Sequence, residues 1–379
     1  MSLPAFMYDV IVVGAGPGGS TAARKCAEHG CKVLLLEKSR RPRHKVCSGW
    51  LMDRFTRNVV DRVFGPVPIR VLNDPPYLSG FVVHGPGGKR EIVRGEIPQA
   101  WRKDLDYWMN QKASEAGVEI WDESRVTGVS EDNERCSVRL MRKEKEQEIG
   151  TRYVIGCDGC LSVVRRSLFP DLRAHPMQSV QHWYQGSLGD LETDYLHEFM
   201  YPDARYDTRS VAPGSICGVH YKEDCFCIAC GAIPGQWREN MQRARNLLSE
   251  FYGFDLGRQP LWIDSCVVPE LHLSLIDGSL RPAKGNILLV GDAAGLMDTR
   301  EGGSIGLAVC TGELAADCIV KSEQQGNKVE SHYLQAMKSV LSVVDKMHSS
   351  YIERQAQLEE GNDDLIFQSA VRFLQKAIK

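Results

Sequence analysis

An α/β architecture is predicted, with a Rossmann-type domain, a second lobe built on a mixed or antiparallel sheet, and a C-terminal helical segment. Three observations predict it. Residues 8–40 read as strand, glycine turn, helix and strand. Two later segments, 152–159 and 286–295, again run from a short apolar strand into a glycine and an acid. Between them the pattern changes to short alternating runs such as GSICGVHYKEDCFCIACGAI at 214–233, with GFVVHGPG at 80–87 resembling them. A βαβ unit with further strand-to-turn segments implies a parallel sheet, whereas alternating runs imply a sheet covered on one face.

At 379 residues the chain can hold two packed units, because a single core stops growing at about 250–300 residues. The first domain is expected to be discontinuous, over 1–65, 97–173 and 270–330. The sheet lobe is expected over 66–96 and 174–269, and the helical region over 331–379. With 43% apolar residues, 25% charged residues and a net charge of −3, no global basic field exists to attract nucleic acid or anionic lipid. No window approaches the roughly 20 apolar residues of a membrane span. The first strand-like run starts at Tyr8, which leaves no room for a signal peptide, so a cytoplasmic protein is expected. Thirteen cysteines scattered through apolar runs read as reduced thiols rather than a disulfide framework.

The opening segment, YDVIVVGAGPGGSTAARKCAEHGCKVLLLEKSR, carries a buried strand (10–13), a helix (20–29) and a second strand (32–37). In the turn Gly14-Ala15-Gly16-Pro17-Gly18-Gly19, Gly14 permits the sharp bend, Gly16 lets the backbone approach a pyrophosphate, and Gly19 lets helix and strand pack closely. The helix N-terminus then directs free N–H groups at phosphates. Glu37, eighteen residues after Gly19 and followed by Lys38, ends the second strand where a ribose can be held. On this segment alone the dinucleotide is NAD or FAD. In NILLVGDAAG, Gly291-Asp292 ends another strand, and Asp292 is placed to hold a ribityl hydroxyl. Three such segments in this order are hard to explain by NAD alone.

RYVIGCDGC at 152–160 holds two cysteines at the spacing of a redox dithiol or half a zinc site. A redox pair needs a low-pKa thiol at a helix N-terminus, and zinc needs two more ligands. Cys225 and Cys227 share one face of a strand while Cys230 points oppositely, which makes a tetrahedral site awkward. Buried structural thiols, with no metal, are the expectation.

With these segments in view the chain resembles the FAD-dependent oxidoreductases of the p-hydroxybenzoate hydroxylase-like superfamily, and within it the geranylgeranyl reductase family. That family has a GxGxxG near the start, a cysteine-glycine segment after the second strand, an arginine-aspartate helix, a DG motif and a late GDAAG. All five have counterparts here, spanning most of residues 8–320. The resemblance implies FAD. It implies that Cys47 in HKVCSGWL lies beside the flavin ring, with Ser48 and Gly49 supplying backbone N–H contacts. Cys47 is then either a proton donor to a carbon reduced by hydride or a lining residue. The family usually has glycine at Ser48.

The resemblance also implies that Arg102 in WRKDLDYW reaches FAD; its alternative is an intrahelical pair with Asp106. Val126, ending WDESRV, matches a position whose backbone flanks the adenine. Asp158-Gly159 matches the DG motif that fixes the backbone near the cofactor and a nicotinamide route. In GDAAGLMDTREGGSIGLA, Gly302 and Gly303 give the backbone freedom to approach the flavin N1–C2 edge, with Ser304 and Ile305 at the matching contact positions. Thr299 stands where the family typically has proline.

No second GxGxxG follows a strand, so electrons are expected from transient NAD(P)H docking or from another donor. The expected activity is hydride transfer from reduced flavin to an unsaturated, largely apolar small molecule. Two alternatives stay open: an NAD(P)H-dependent monooxygenase of an aromatic or small apolar compound, and an electron-transfer flavoprotein without an organic substrate. The family's tyrosine-x-tryptophan-x-phenylalanine-proline stretch is replaced by ICGVHY at 216–221, which sets a long polyprenyl substrate in question. His220 with Tyr221, and His182 with Trp183 and Tyr184, are polar candidates whose other reading is structural. HYLQAMKSVLSVVDKM repeats apolar residues at helical spacing, which means packing on the flavin domain or, alternatively, a peripheral membrane or dimer contact.

Overall fold

The computed structural model describes residues 7–173, 175–201, 215–232, 235–298, 303–360 and 363–378. The chain opens with β1 (Tyr8–Val13), α1 (Pro17–Glu28) and β2 (Val33–Leu36), followed by α2 (Arg54–Phe64). The hairpin β3 (Tyr77–Gly85) and β4 (Lys89–Pro98) crosses to the second lobe, and α3 (Arg102–Glu115) returns. Next come β5 (Glu119–Trp121), the meander β6 (Ser124–Asp132), β7 (Arg135–Arg142) and β8 (Lys145–Gly156), and α4 (Val163–Leu168). The second lobe adds β9 (His175–Gln185), β10 (Leu196–Met200), β11 (Ser215–Lys222), β12 (Cys225–Ala232), α5 (Trp237–Tyr252) and β13 (Trp262–Glu270). The chain then runs through α6 (His272–Ile276), β14 (Ala283–Lys284), β15 (Ile287–Leu289), α7 (Ile305–Gln325), α8 (Val329–Glu359) and α9 (Asp363–Ile378).

Two sheets organise these elements. The first has the order β14-β15-β8-β1-β2-β5, with β15, β8, β1, β2 and β5 parallel. Its central strands are apolar on both faces, as a sheet covered by helices requires. The N-terminal half of β8 pairs antiparallel with β7, so the meander extends this sheet. The second sheet has the order β13-β9-β12-β11-β10-β3-β4 and is antiparallel except where β10 runs parallel to β3. This is the mixed sheet that the alternating runs predict.

Two boundaries move from expectation for local reasons. α1 begins at Pro17 rather than Ser20, because proline at the first helical position has its φ preset and needs no N–H partner. The run WDESRV is broken between β5 and β6 at Glu123, which adopts φ 52°, so Val126 lies inside β6 instead of ending a strand.

The C-terminal helices divide their labour. Tyr333, Met337, Val340 and Val344 of α8 join the core of the first sheet, as the helical spacing predicts. Ile366, Phe367, Ala370, Val371, Leu374 and Ile378 of α9 instead close over the second sheet against Leu78, Phe81, Val83, Val93 and Ile97. Arg57 of α2 donates from Nη2 to the Ile378 carbonyl at 3.0 Å, tying this end back to the first lobe. Among the described residues no helix is long and apolar enough to cross a membrane.

Candidate functional site

The site begins at the β1–α1 turn. Gly14 has φ +99°, and a Cβ there would lie 2.4 Å from the Cys157 carbonyl oxygen; a Cβ on Gly19 would lie 1.8 Å from the Gly14 oxygen. Side chains are therefore excluded where strand, helix and the 157–159 turn meet. Gly18 packs toward Val290 and Ala308. Gly16 is different: a Cβ there would meet only the Arg43 Nη2 at 3.5 Å and the Arg102 Nη2 at 4.0 Å. The N-cap of α1 has no side-chain cap, so its N–H end and two guanidinium groups converge on one open spot. This arrangement fits a diphosphate, whose charge the helix end and both arginines complement.

Buried carboxylates hold the arginines in place. Glu37 accepts from the Ala15 N–H at 3.1 Å, the Ser39 N–H at 3.0 Å and Arg43 Nε at 3.0 Å. Arg43 also reaches Asp106 at 3.2 Å, and Arg102 binds Asp106 through two nitrogens at 2.8 and 3.0 Å. Burial alone would favour loss of the Arg102 charge, but Asp106 and the Cys47 sulfur keep the guanidinium firmly protonated. The intrahelical pair of Arg102 with Asp106 is thus formed, and its Nη2 lies beside the Gly16 opening. Asn110, from the same helix, donates to the Ala15 carbonyl at 3.0 Å and to Ser20 Oγ at 2.7 Å. Lys38 is exposed, and Val126 is buried two residues beyond Ser124, whose N–H donates to the Glu37 carbonyl at 2.8 Å.

The 44–49 loop crosses toward the second lobe, where His44 Nε2 meets Asp264 Oδ1 at 3.0 Å. Cys47 is half-buried, as is Ser48, and the Gly49 N–H donates to Cys47 Sγ at 3.4 Å. Burial pushes the Cys47 thiol up, but the Arg102 charge, the Gly49 N–H and Lys45 outweigh it and leave the thiol below its ordinary value. Gly49 has φ +70° and lies so close to Ala100 that a Cβ would stand 2.0 Å from its carbonyl oxygen.

Asp158 acts as a structural acid. Its Oδ2 accepts from the Val163 and Val164 N–H groups at 2.6 and 3.2 Å, and Oδ1 from Ser162 Oγ at 2.6 Å, fixing the start of α4 beside Gly159. Cys157 pairs by its N–H with the Val13 carbonyl at 2.8 Å, and burial raises its thiol well above the ordinary value. Cys160 donates to Asp292 at 3.3 Å and is likewise pushed up by burial, so neither thiol suits redox exchange. No cluster able to hold a metal is found among the described residues.

Gly291 and Asp292 lie in a short 3-10 turn (Gly291–Ala294), and the helix expected directly after them begins only at Ile305. Arg165 holds this turn through the Asp292 and Ala293 carbonyls at 3.2 and 2.9 Å. Burial raises the Cys266 thiol of β13, and Lys45, Cys47 and Asp292 act on it as well, so the 44–49 loop and the Asp292 turn both lie near this strand. Ser304 and Ile305 begin α7, and Ile305 is buried against α2 and α3. Gly303 is exposed; Gly302 and Thr299 lie outside the described residues.

In the second lobe a group of rings packs beside Trp50. His220 is buried, with Trp50 edge-on at 4.8 Å and Trp183 at 5.2 Å, and neither of its ring nitrogens has a hydrogen-bond partner. Burial and the neighbouring Lys222 keep it neutral. His182, 3.4 Å from the Tyr184 hydroxyl, is also held below its ordinary value by burial and Arg245.

Arg43, Asn110 and Lys222 were not singled out in the sequence. Arg43 sits in the basic run SRRPRHK, a visible signal without a periodicity to aim it; Lys222 reads as the solvated end of a strand.

Comparison with known proteins agrees with this layout. A sequence profile described as an FAD binding domain matches residues 93–201, and one described as an NAD(P)-binding Rossmann-like domain matches residues 12–50. Digeranylgeranylglycerophospholipid reductase of Methanocaldococcus jannaschii is 26% identical over 83% of this chain and 78% of its own. The enzyme of that name from Methanosarcina mazei is 29% identical over 84% of this chain and 77% of its own. A geranylgeranyl bacteriochlorophyll reductase-like protein from Thermoplasma acidophilum superposes with a TM-score of 0.78 at 20% identity, covering 98% of this chain and 93% of that one. The flavin-dependent brominase Bmp2 gives a TM-score of 0.72 at 17% identity over 98% and 94%, a likeness of fold. The matching FAD-binding profile supports FAD as the cofactor.

Proposed function

Because the chain belongs to the geranylgeranyl reductase family of FAD-dependent oxidoreductases, we propose that it saturates a carbon–carbon double bond in a largely apolar, lipid-like substrate. Cys47 carries this reading. Its sulfur is held by the Gly49 N–H and drawn below its usual pKa beside Arg102, on the loop where the family cysteine faces the flavin ring. Bound and reduced FAD supplies the hydride.

The chain's own residues do the rest. Gly16, the α1 N-terminus, Arg43 and Arg102 would hold the diphosphate, Glu37 the ribose and Asp292 the ribityl chain. Cys47 delivers the proton to the carbon beside the one that takes hydride. NAD(P)H is the proposed donor, docking transiently because only one nucleotide fingerprint is present, and the cytoplasm is the proposed location.

Anaerobic photoreduction followed by a panel of alkenes tests the activity. Reoxidation of the flavin by an isoprenoid alkene, with the saturated product recovered, is the expected result. Alkenes left inert while oxygen is consumed in hydroxylating an added aromatic would reject it in favour of a monooxygenase.

A further inference from the structure

Lys222 closes β11 with none of its surface exposed. Its Nζ donates to the Ala100 carbonyl at 2.9 Å and lies 4.5 Å from the centre of the Trp101 ring. Among the described residues no carboxylate pairs with it. The adjacent acid, Glu223, is exposed and accepts from Trp101 Nε1 at 2.8 Å instead. A buried cation without a counter-ion is costly, and such groups concentrate where a charge is used.

What the ammonium faces is the 47–49 loop. A Cβ on Gly49 would stand 3.2 Å from Nζ, so only the Gly49 backbone separates Nζ from the N–H that holds Cys47 Sγ. The same backbone contact with Ala100 that forces Gly49 to lack a side chain brings loop, carbonyl and ammonium together. The other charged or titratable groups around Lys222 are Arg102 from α3, Cys227 from β12, Glu223 in the following turn and His220 on its own strand. Arg102 repels it, Glu223 is turned outward, and His220 is neutral. The Cys47 sulfur is the group on this loop whose charge can answer it.

We propose that Lys222 is a positioning residue for Cys47, an ammonium set behind the 47–49 loop to stabilise the sulfur after it gives up its proton. This rests on the reductase reading but concerns the thiol alone. In the reaction, one new C–H bond is made from the hydride that reduced FAD supplies, NAD(P)H being the ultimate reductant. The other is made from the Cys47 S–H bond, which breaks to leave a thiolate facing Lys222 and Arg102. Water returns the proton to sulfur. Burial pulls the Lys222 amine down to about 7, while Arg102, the Gly49 N–H and Lys45 hold the Cys47 thiol below its ordinary value.

The test uses the full chain, FAD-loaded and FAD-stripped, as wild type, Lys222→Met, Lys222→Arg and Cys47→Ser. Two readouts follow Cys47 directly: the pH midpoint of the long-wavelength thiolate-to-flavin charge-transfer absorbance, and iodoacetamide labelling of Cys47 scored by peptide mass. Lys222→Met should raise the midpoint by about one pH unit, slowing labelling near neutrality roughly tenfold. Lys222→Arg, which keeps the charge, should stay within about twofold of wild type. Cys47→Ser should lose both signals. A wild-type midpoint and rate in folded Lys222→Met overturn the proposal, as does a Lys222→Arg variant that slows as much as Lys222→Met. If Lys222→Met does not fold, Lys222→Arg decides alone, since a rise in its midpoint would overturn the assignment. No alkene is needed, so failure here is separable from failure of the reductase reading.

Discussion

Replacing Lys222 by methionine should change how stability depends on pH. Methionine keeps a similar volume beside Trp101 but removes the titrating amine. In the folded protein burial pulls that amine from 10.5 to about 7. The folded state therefore holds the proton less tightly than the unfolded chain, and between these two values the unfolded chain binds a proton that the folded state has released. Unfolding free energy rises with pH across that window, by about 1.4 kcal/mol per unit from this one group. Below the folded value the cost of burying the charge is fully present. The whole shift is worth about 5 kcal/mol, of which about 3 kcal/mol falls between about pH 7 and about pH 9.5. Lys222→Met also loses the bond to the Ala100 carbonyl, an offset of about 1 kcal/mol that does not vary with pH. Urea unfolding of both proteins at matched FAD content should show wild type gaining on the variant by about 3 kcal/mol over that range. Parallel curves would refute the claim that the amine is buried and charged near neutrality.

Three further outcomes are expected. Gly49→Ala forces a Cβ to within 2.0 Å of the Ala100 oxygen at φ +70°, and should lower stability by roughly 2–4 kcal/mol and loosen FAD, read by melting temperature and released flavin fluorescence. Glu37→Ala and Asp292→Ala should each weaken FAD retention about tenfold or more in equilibrium dialysis, a loss of about 1.4 kcal/mol; unchanged retention in both would remove them from the cofactor site. His84 lies 3.0 Å from His197, and burial with that neighbour pulls it from 6.5 to about 3. Its contribution is complete above about 6.5 and is lost as pH falls through the folded value, so His84→Gln should flatten the acid limb of the urea-unfolding stability curve by up to about 5 kcal/mol.

Local chemistry made the first lobe readable. A strand, a glycine turn and a helix are contiguous, so Gly14, Gly16, Gly19 and Glu37 carry their geometry within thirty residues. Cys47 and Arg102 came from a resemblance, because nothing in their own neighbourhoods says what they face, whereas Asp292 was read from its own strand end. Arg43 and Lys222 were opaque for a physical reason. Arg43 earns its place from Asp106, and Lys222 from Ala100, which lies 122 positions away. A lysine ending an alternating strand looks solvated until the fold lays another loop over it. The short 3-10 turn at Asp292 was hidden likewise, since glycine and alanine permit several backbones and Arg165 selects one. The amphipathic pattern of α9 announced an apolar face but could not name the sheet it covers.

That cover has a consequence for how the protein is made. The β3–β4 hairpin emerges from the ribosome early, yet the residues that shield its apolar face begin at Asp363, 265 positions beyond Pro98. At about 5–20 residues per second, the hairpin waits on the order of half a minute with Phe81, Val83 and Val93 lacking their final partners. Until α9 is made that apolar face lacks its cover, and truncation before α9 would expose it permanently.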